Sequence, residues 1–174
     1  LDRASRNDSD GGIFALDTFR INLDYAKGNF VGKAEYRFYP GYGTNNHDGY
    51  HFPHTGWVGY NFQNKSQVQV GLNRVPFGPG PYGVSQSWMF DQHYYVGLSD
   101  DMDLGVKYTL PYQKWTIDFS YYFSDEGTHN GANFSTDSVR YSYDVVDETD
   151  DGYEERNQFN VRAIYKIENN GINA

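Results

Sequence analysis

The 174-residue chain contains no cysteine, which excludes a disulfide framework and thiolate metal sites. Long apolar runs are also missing. Mean hydropathy is -0.78, and nothing approaches the roughly 18 consecutive apolar residues of a membrane helix. Bases are scarce beside acids, 14 Lys and Arg against 23 Asp and Glu, for a formal net charge of -9. A nucleic-acid partner, which wants a basic face, is therefore not expected. The chain has no Gly-rich phosphate loop, nucleophile elbow or zinc-protease signature, so neither catalysis nor a cofactor is expected. What it has in abundance is aromatic residues: 17 Tyr, 12 Phe and 3 Trp.

Those aromatics fall into seven stretches that alternate apolar and polar residues, the pattern of strands with one apolar face. The first sets Phe19, Ile21, Leu23 and Tyr25 against Arg20, Asn22 and Asp24. The second sets Phe30, Gly32, Ala34, Tyr36 and Phe38 against Val31, Lys33, Glu35 and Arg37. The third and fourth are shorter, with Val58, Tyr60 and Phe62, then Val68, Val70 and Leu72. Met102, Leu104, Val106 and Tyr108 oppose Asp103 and Lys107 in the fifth, and Trp115 to Phe123 at odd positions oppose Lys114, Asp118 and Tyr122 in the sixth. In the seventh, Phe159, Val161, Ala163, Tyr165 and Ile167 oppose Arg162 and Lys166. No charge or amide stands on any apolar face, so a one-residue slip would be costly and the register is well specified.

Alternation alone suits a soluble sandwich as well as a barrel. Connection lengths separate the two. Lys27 to Asn29, Gln63 to Ser66, Leu110 to Gln113 and Glu168 to Gly171 are tight turns, whereas Pro40 to His54, Val75 to about Asp101 and Ser124 to about Asn157 are long. Short turns at one rim and long loops at the other belong to an outer-membrane β-barrel. The expected architecture is all-β, an antiparallel transmembrane β-barrel. Residues 1–174 are expected to form part of one barrel domain, with about seven strands and long loops near 40–54, 75–101 and 124–157.

In such a barrel the polar faces line the lumen. They carry seven bases, Arg20, Lys33, Arg37, Lys107, Lys114, Arg162 and Lys166, against four acids, Asp24, Glu35, Asp103 and Asp118. A basic wall lowers the barrier to anions; the alternative is that opposite charges satisfy one another across strands. Arg74 shares the parity of Val68, Val70 and Leu72, so either the strand ends at Asn73 or a bulge turns the side chain away. The loop beginning Val75-Pro76-Phe77-Gly78-Pro79 is stiff and irregular. With Pro76, Phe77, Tyr82, Trp88, Phe90 and Tyr94 it is expected to fold partly into the pore as its constriction, the alternative being a surface loop. His47, His51 and His54 with Asp48 read as surface histidines in a Gly- and Asn-rich loop. The acidic run Asp144 to Asp151 departs from the EF-hand pattern and reads as a solvated lip, so no metal site is expected. Trp57, Trp115 and strand-end Tyr residues read as interfacial anchors.

Several segments resemble the trimeric porins of the phosphate-selective O and P family of Gram-negative bacteria. They are Ala34-Glu35-Tyr36-Arg37-Phe38-Tyr39, Trp57-Val58-Gly59-Tyr60-Asn61-Phe62, Val70 to Gly78, Tyr94 to Lys107, Arg140 to Asp144 and Glu155 to Asn160. The resemblance implies a barrel of about 16 strands, of which this chain is a part, passive diffusion of small hydrophilic solutes, a homotrimer and a place in the outer membrane. Phosphate-selective members carry basic residues at the constriction, whereas Pro76 to Tyr95 holds neither Lys nor Arg. A relative passing other small solutes, with anions guided by wall residues, fits as well as a phosphate channel. The competing expectation from the residues is a secreted β-sandwich module binding carbohydrate or calcium.

Overall fold

The computed structural model describes residues 18–39, 49–78, 101–125, 130–131 and 156–167. These residues form one antiparallel β-sheet and no helix. Its strands are β1 (Phe19–Lys27), β2 (Phe30–Tyr39), β3 (Tyr50–Asn61), β4 (Gln67–Arg74), β5 (Met102–Tyr112), β6 (Trp115–Ser124), β7 (Asn130–Gly131) and β8 (Arg156–Tyr165). The long strands lie in chain order, β1-β2-β3-β4-β5-β6-β8, and β7 pairs with β3. The all-β antiparallel expectation holds, and the seven long strands coincide with the seven alternating segments. Among the described residues β1 pairs only with β2 and β8 only with β6.

Each short connection has local chemistry that makes it turn. Lys27 pairs with Phe30 across Gly28 and Asn29, and Gly28 takes φ +60°, the value a II′ hairpin needs at its first position. Between β3 and β4, Lys65 N donates to the Phe62 carbonyl at 3.0 Å and Phe62 N to the Ser66 carbonyl at 2.8 Å. Lys65 sits left-handed at φ 67°, as in a three-residue loop closed by a bulge. The Asn64 side chain accepts from the Ser66 amide at 3.1 Å and its hydroxyl at 2.7 Å, which ties the turn to its own backbone.

The ladder departs from regularity at four places, all on the long-connection half, one of them Asn157 in β8, left-handed at φ 58°. Glu35 pairs with Thr55 while Tyr36 pairs with Pro53, so His54 is an extra residue on β3. Leu104 pairs with Ser124 while Gly105 pairs with Tyr122, so Phe123 is extra on β6. Both are β-bulges, which bend a strand and raise its twist. Gly71, in β4, has φ +124°. Beyond it the two faces no longer sort cleanly: Leu72 and Met102, placed on the apolar face by parity, are 8% and 3% exposed.

These irregularities account for what the alternation missed. Strand β3 begins at Tyr50, inside the connection expected over 40–54, because the extra residue at His54 inverts parity and hides the pattern upstream. Strand β8 begins at Arg156, two residues before the alternating stretch. The pair Asn130 and Gly131 lies within the expected 124–157 loop and meets His51 and Tyr50; two residues leave no periodicity to read. The left-handed φ of Gly71 predicts that Gly71→Ala costs about 1–3 kcal/mol. Urea unfolding, followed by the β-sheet signal, measures this; a change under about 0.5 kcal/mol would show that the position tolerates a side chain.

Candidate functional site

The two faces of the sheet are opposite in chemistry and in enclosure. One face leaves large apolar side chains uncovered: Leu23, Phe30, Val58, Phe159 and Ile167 are each more than 60% exposed, and thirteen other described apolar or aromatic residues are more than a third exposed. The other face carries the charges, and much of it is buried, including Arg37, Thr55, Asn73, Asp103, Asp118 and Ser120 at 6% exposure or less. A soluble protein arranges matters the other way round. The enclosed polar face is the candidate site.

Two ion clusters organise it. In the first, Glu35 Oε1 accepts from Arg37 Nε at 2.5 Å, with His54 Nδ1 at 3.7 Å and Arg20 Nη1 at 3.8 Å. The bulge is what brings His54 to this carboxylate, because it places the extra residue beside Thr55 opposite Glu35; the Thr55 hydroxyl lies 3.0 Å from the imidazole. Arg37 and Glu35 are 6% and 13% exposed while Arg20 is 45% exposed. One carboxylate thus serves two guanidinium groups, and the more exposed of them retains donors to offer.

In the second cluster Asp118 on β6 takes Arg162 on β8 bidentately, Nε at 2.8 Å and Nη2 at 2.7 Å, the strongest geometry open to such a pair. The Thr109 hydroxyl on β5 donates to its other oxygen at 2.6 Å. Cross-strand register places the three residues side by side, since Thr109 pairs with Asp118 and Asp118 with Arg162.

Between the clusters the chain leaving β4 crosses the enclosed face. Lys107 Nζ donates to the Arg74 carbonyl at 2.8 Å, the Tyr122 hydroxyl donates to the same oxygen at 2.9 Å, and Arg162 Nη1 donates to the Gly78 carbonyl at 3.3 Å. Side chains of β5, β6 and β8 therefore hold residues 74–78 across neighbouring strands. Val75 and Pro76 are buried there and Phe77 half-buried. Strand β4 runs through Arg74, which pairs with Met102, so the strand does not end at Asn73; the break in alternation is at Gly71.

Of the expected lining residues, Arg20, Asp24, Lys33, Glu35, Arg37, Lys107, Asp118 and Arg162 lie on the strands of this face. Asp24 and Lys33 form only a loose pair, 3.8 Å apart and 75% and 42% exposed, of small energetic weight. Lys114 and Lys166 lie outside the strands, at the short-turn rim, where Lys166 N donates to the Lys114 carbonyl at 2.9 Å. Without those two, the expected lining residues that lie on strands are five bases, Arg20, Lys33, Arg37, Lys107 and Arg162, against four acids, Asp24, Glu35, Asp103 and Asp118, and the strands also carry Arg74 and Arg156. Much of the charge on this face is paired across strands, the alternative left open by the sequence. Pro76 and Phe77 stand at the start of the expected constriction loop; Tyr82, Trp88, Phe90 and Tyr94 lie outside the described residues, as do His47, Asp48 and the acidic run 144–151.

Three placements differ from expectation. His51 and His54 belong to β3 and are not loop residues; His54 is 1% exposed and His51 Nδ1 lies 2.7 Å from the Tyr36 hydroxyl. Trp57 pairs with Lys33 and lies on the polar face, its ring 3.2 Å from where a Gly59 side chain would begin, so it is no interfacial anchor. Trp115 lies on the open apolar face, 42% exposed, with its ring 4.8 Å from that of Tyr165. Alternation gives Tyr122 and Asn73 no part in a site, and it reads His54 as a surface histidine, whereas all three are buried on this face. A tyrosine on a charged face was a visible signal for the first; the bulge concealed the last.

No protein-family model, curated protein or solved structure matches the chain.

Breaking the Asp118–Arg162 pair leaves one charge enclosed without its partner. Arg162→Ala is expected to cost about 2–4 kcal/mol, less than for a fully buried pair because Arg162 is a quarter exposed. A double-mutant cycle with Asp118→Asn, read by urea unfolding, should return a coupling above about 1 kcal/mol; additive effects would show the pair to be energetically idle.

Proposed function

We propose that this chain is part of an outer-membrane porin. In this proposal the sheet is wall of a transmembrane β-barrel in the cell outer membrane of a Gram-negative bacterium, its open apolar face against lipid and its enclosed polar face along a water-filled channel for small hydrophilic solutes. One observation carries it: the exposed face is the apolar one and the charges are on the enclosed face. Every long strand is hydrogen-bonded to its neighbour, as backbone polar groups in hydrocarbon must be. A secreted β-sandwich would need a second sheet over Ile21, Leu23, Val58, Val161 and their neighbours, and among the described residues there is one sheet.

The chain between Arg74 and Gly78, held across the enclosed face by Lys107, Tyr122 and Arg162, supports an inward course for the loop that follows and hence a constriction. Anion preference follows from Arg20 and Arg37 sharing Glu35, which leaves that stretch of wall with surplus positive charge close to the solute path. The homotrimer is carried by the resemblance to trimeric porins alone. No catalytic step is involved.

In planar bilayers the protein should conduct, and in a KCl gradient the reversal potential should take the sign set by chloride. Arg20→Gln, at the half-exposed base, should move it toward zero while leaving insertion unchanged. Current carried mainly by potassium would sink the anion assignment, and absence of conductance from a folded, inserted protein would sink the channel.

A further inference from the structure

We infer that the short-turn rim is a docking surface for anionic phospholipid head groups. The inference rests on the membrane reading above and adds a partner to it. Lys27 stands at the β1–β2 turn, Lys65 at β3–β4, Lys114 at β5–β6 and Lys166 just past β8, and all four are exposed. They are four of the six lysines in the whole chain. The three turns 27–29, 62–66 and 113–114 include no Asp or Glu, in a protein whose net charge is -9, and Glu168 follows two residues after Lys166. The opposite ends of the strands are mixed in charge, with Asp101 and Asp125 beside Arg74 and Arg156, and carry no lysine among the described residues.

A second, independent feature lies beside the lysines. Each has an aromatic residue close by: Phe30 pairs with Lys27, Phe62 begins the turn that holds Lys65, Trp115 follows Lys114 and Tyr165 precedes Lys166. The rings join up, Phe30 to Tyr60 at 5.1 Å, Tyr60 to Phe62 at 5.1 Å and Trp115 to Tyr165 at 4.8 Å. Toward the strand centres the open face is mainly aliphatic, with Leu23, Val58, Val70 and Val161, Phe119 on β6 being an aromatic exception. From strand centre to turn the order is aliphatic, aromatic, ammonium. A leaflet is layered in the same order, with acyl chains, an interface where aromatic rings settle, and then phosphates.

The spacing favours a charged surface over a single soluble anion. Turns separated by two strands, or by slightly less at the β8 end, stand about 7–10 Å apart, close to a Debye length. Ammonium groups so spread do not converge on one phosphate, but each can meet a different head group in a sheet of them.

The test uses the full chain folded into phosphatidylcholine bilayers containing phosphatidylglycerol, with Trp115 as reporter in a W57F/W88F background. Brominated phosphatidylglycerol should quench Trp115 at least about threefold more effectively than brominated phosphatidylcholine. Replacing all four lysines by Gln should abolish the preference, and replacing them by Arg should keep it. An equal preference in the Gln protein, or none in the parent, overturns the inference. So does a preference erased by inorganic phosphate but not by chloride at the same ionic strength, which would assign the lysines to free anions. A protein quenched by neither lipid has not entered the bilayer, and that outcome overturns the membrane reading itself.

Discussion

An antiparallel ladder sends successive side chains to opposite faces, and in this chain most of the large apolar side chains of the described strands fall on the face left open. Everything else depends on that inversion. With the hydrocarbon surface outward, the charged side chains must be accommodated on the enclosed face, where each needs a partner or water. The register cannot slip by one residue without putting Arg20, Lys33, Asp118 and Arg162 among the exposed apolar groups. The same periodicity that shapes the sheet therefore selects its solvent.

The enclosed face meets its electrostatic obligation through neighbours in register. Asp118 lies between Thr109 and Arg162 on adjoining strands and satisfies both. Glu35 does the same for Arg37 on its own strand, Arg20 on β1 and His54 on β3. Backbone carbonyls take part as well: the Arg74 oxygen accepts from Lys107 and Tyr122, which turns an irregular piece of chain into a cross-brace over β5 and β6. Interactions of this kind contribute less to net stability than apolar burial does, yet they decide where the chain leaving β4 lies.

Legibility in the sequence followed local regularity. Phe19 to Tyr25 and Phe159 to Ile167 declare their faces because every second residue is apolar and nothing interrupts the count. The sorting of Arg20, Lys33, Asp118 and Arg162 to the opposite face followed from the same count. What escaped is where the count breaks. His54 inverts parity on β3, so residues 50–53 looked like loop, and His54 itself looked like a surface histidine when it is 1% exposed beside Glu35. Trp57 reads as an anchor because aromatic residues near strand ends commonly are, although its odd position places it with Gly59 and Asn61. Lys114 and Lys166 obey the wall's parity but lie beyond the last ladder pairs, a distinction that alternation alone does not express. The pairing of charges depends on cross-strand register, which a single sequence specifies only through its turns.

The two bulges carry a different kind of information from the rest of the chain. His54 and Phe123 each add one residue, about 3.4 Å of contour, to a strand whose neighbour gains none. Adjacent strands of unequal contour must bend relative to each other, so curvature on the long-connection half is encoded in a tally of residues and only weakly in their identity. Point substitutions at either position leave the bend in place. Insertion or deletion rewrites it, which makes the geometry of this sheet robust to the commonest kind of mutation and vulnerable to the rarer one.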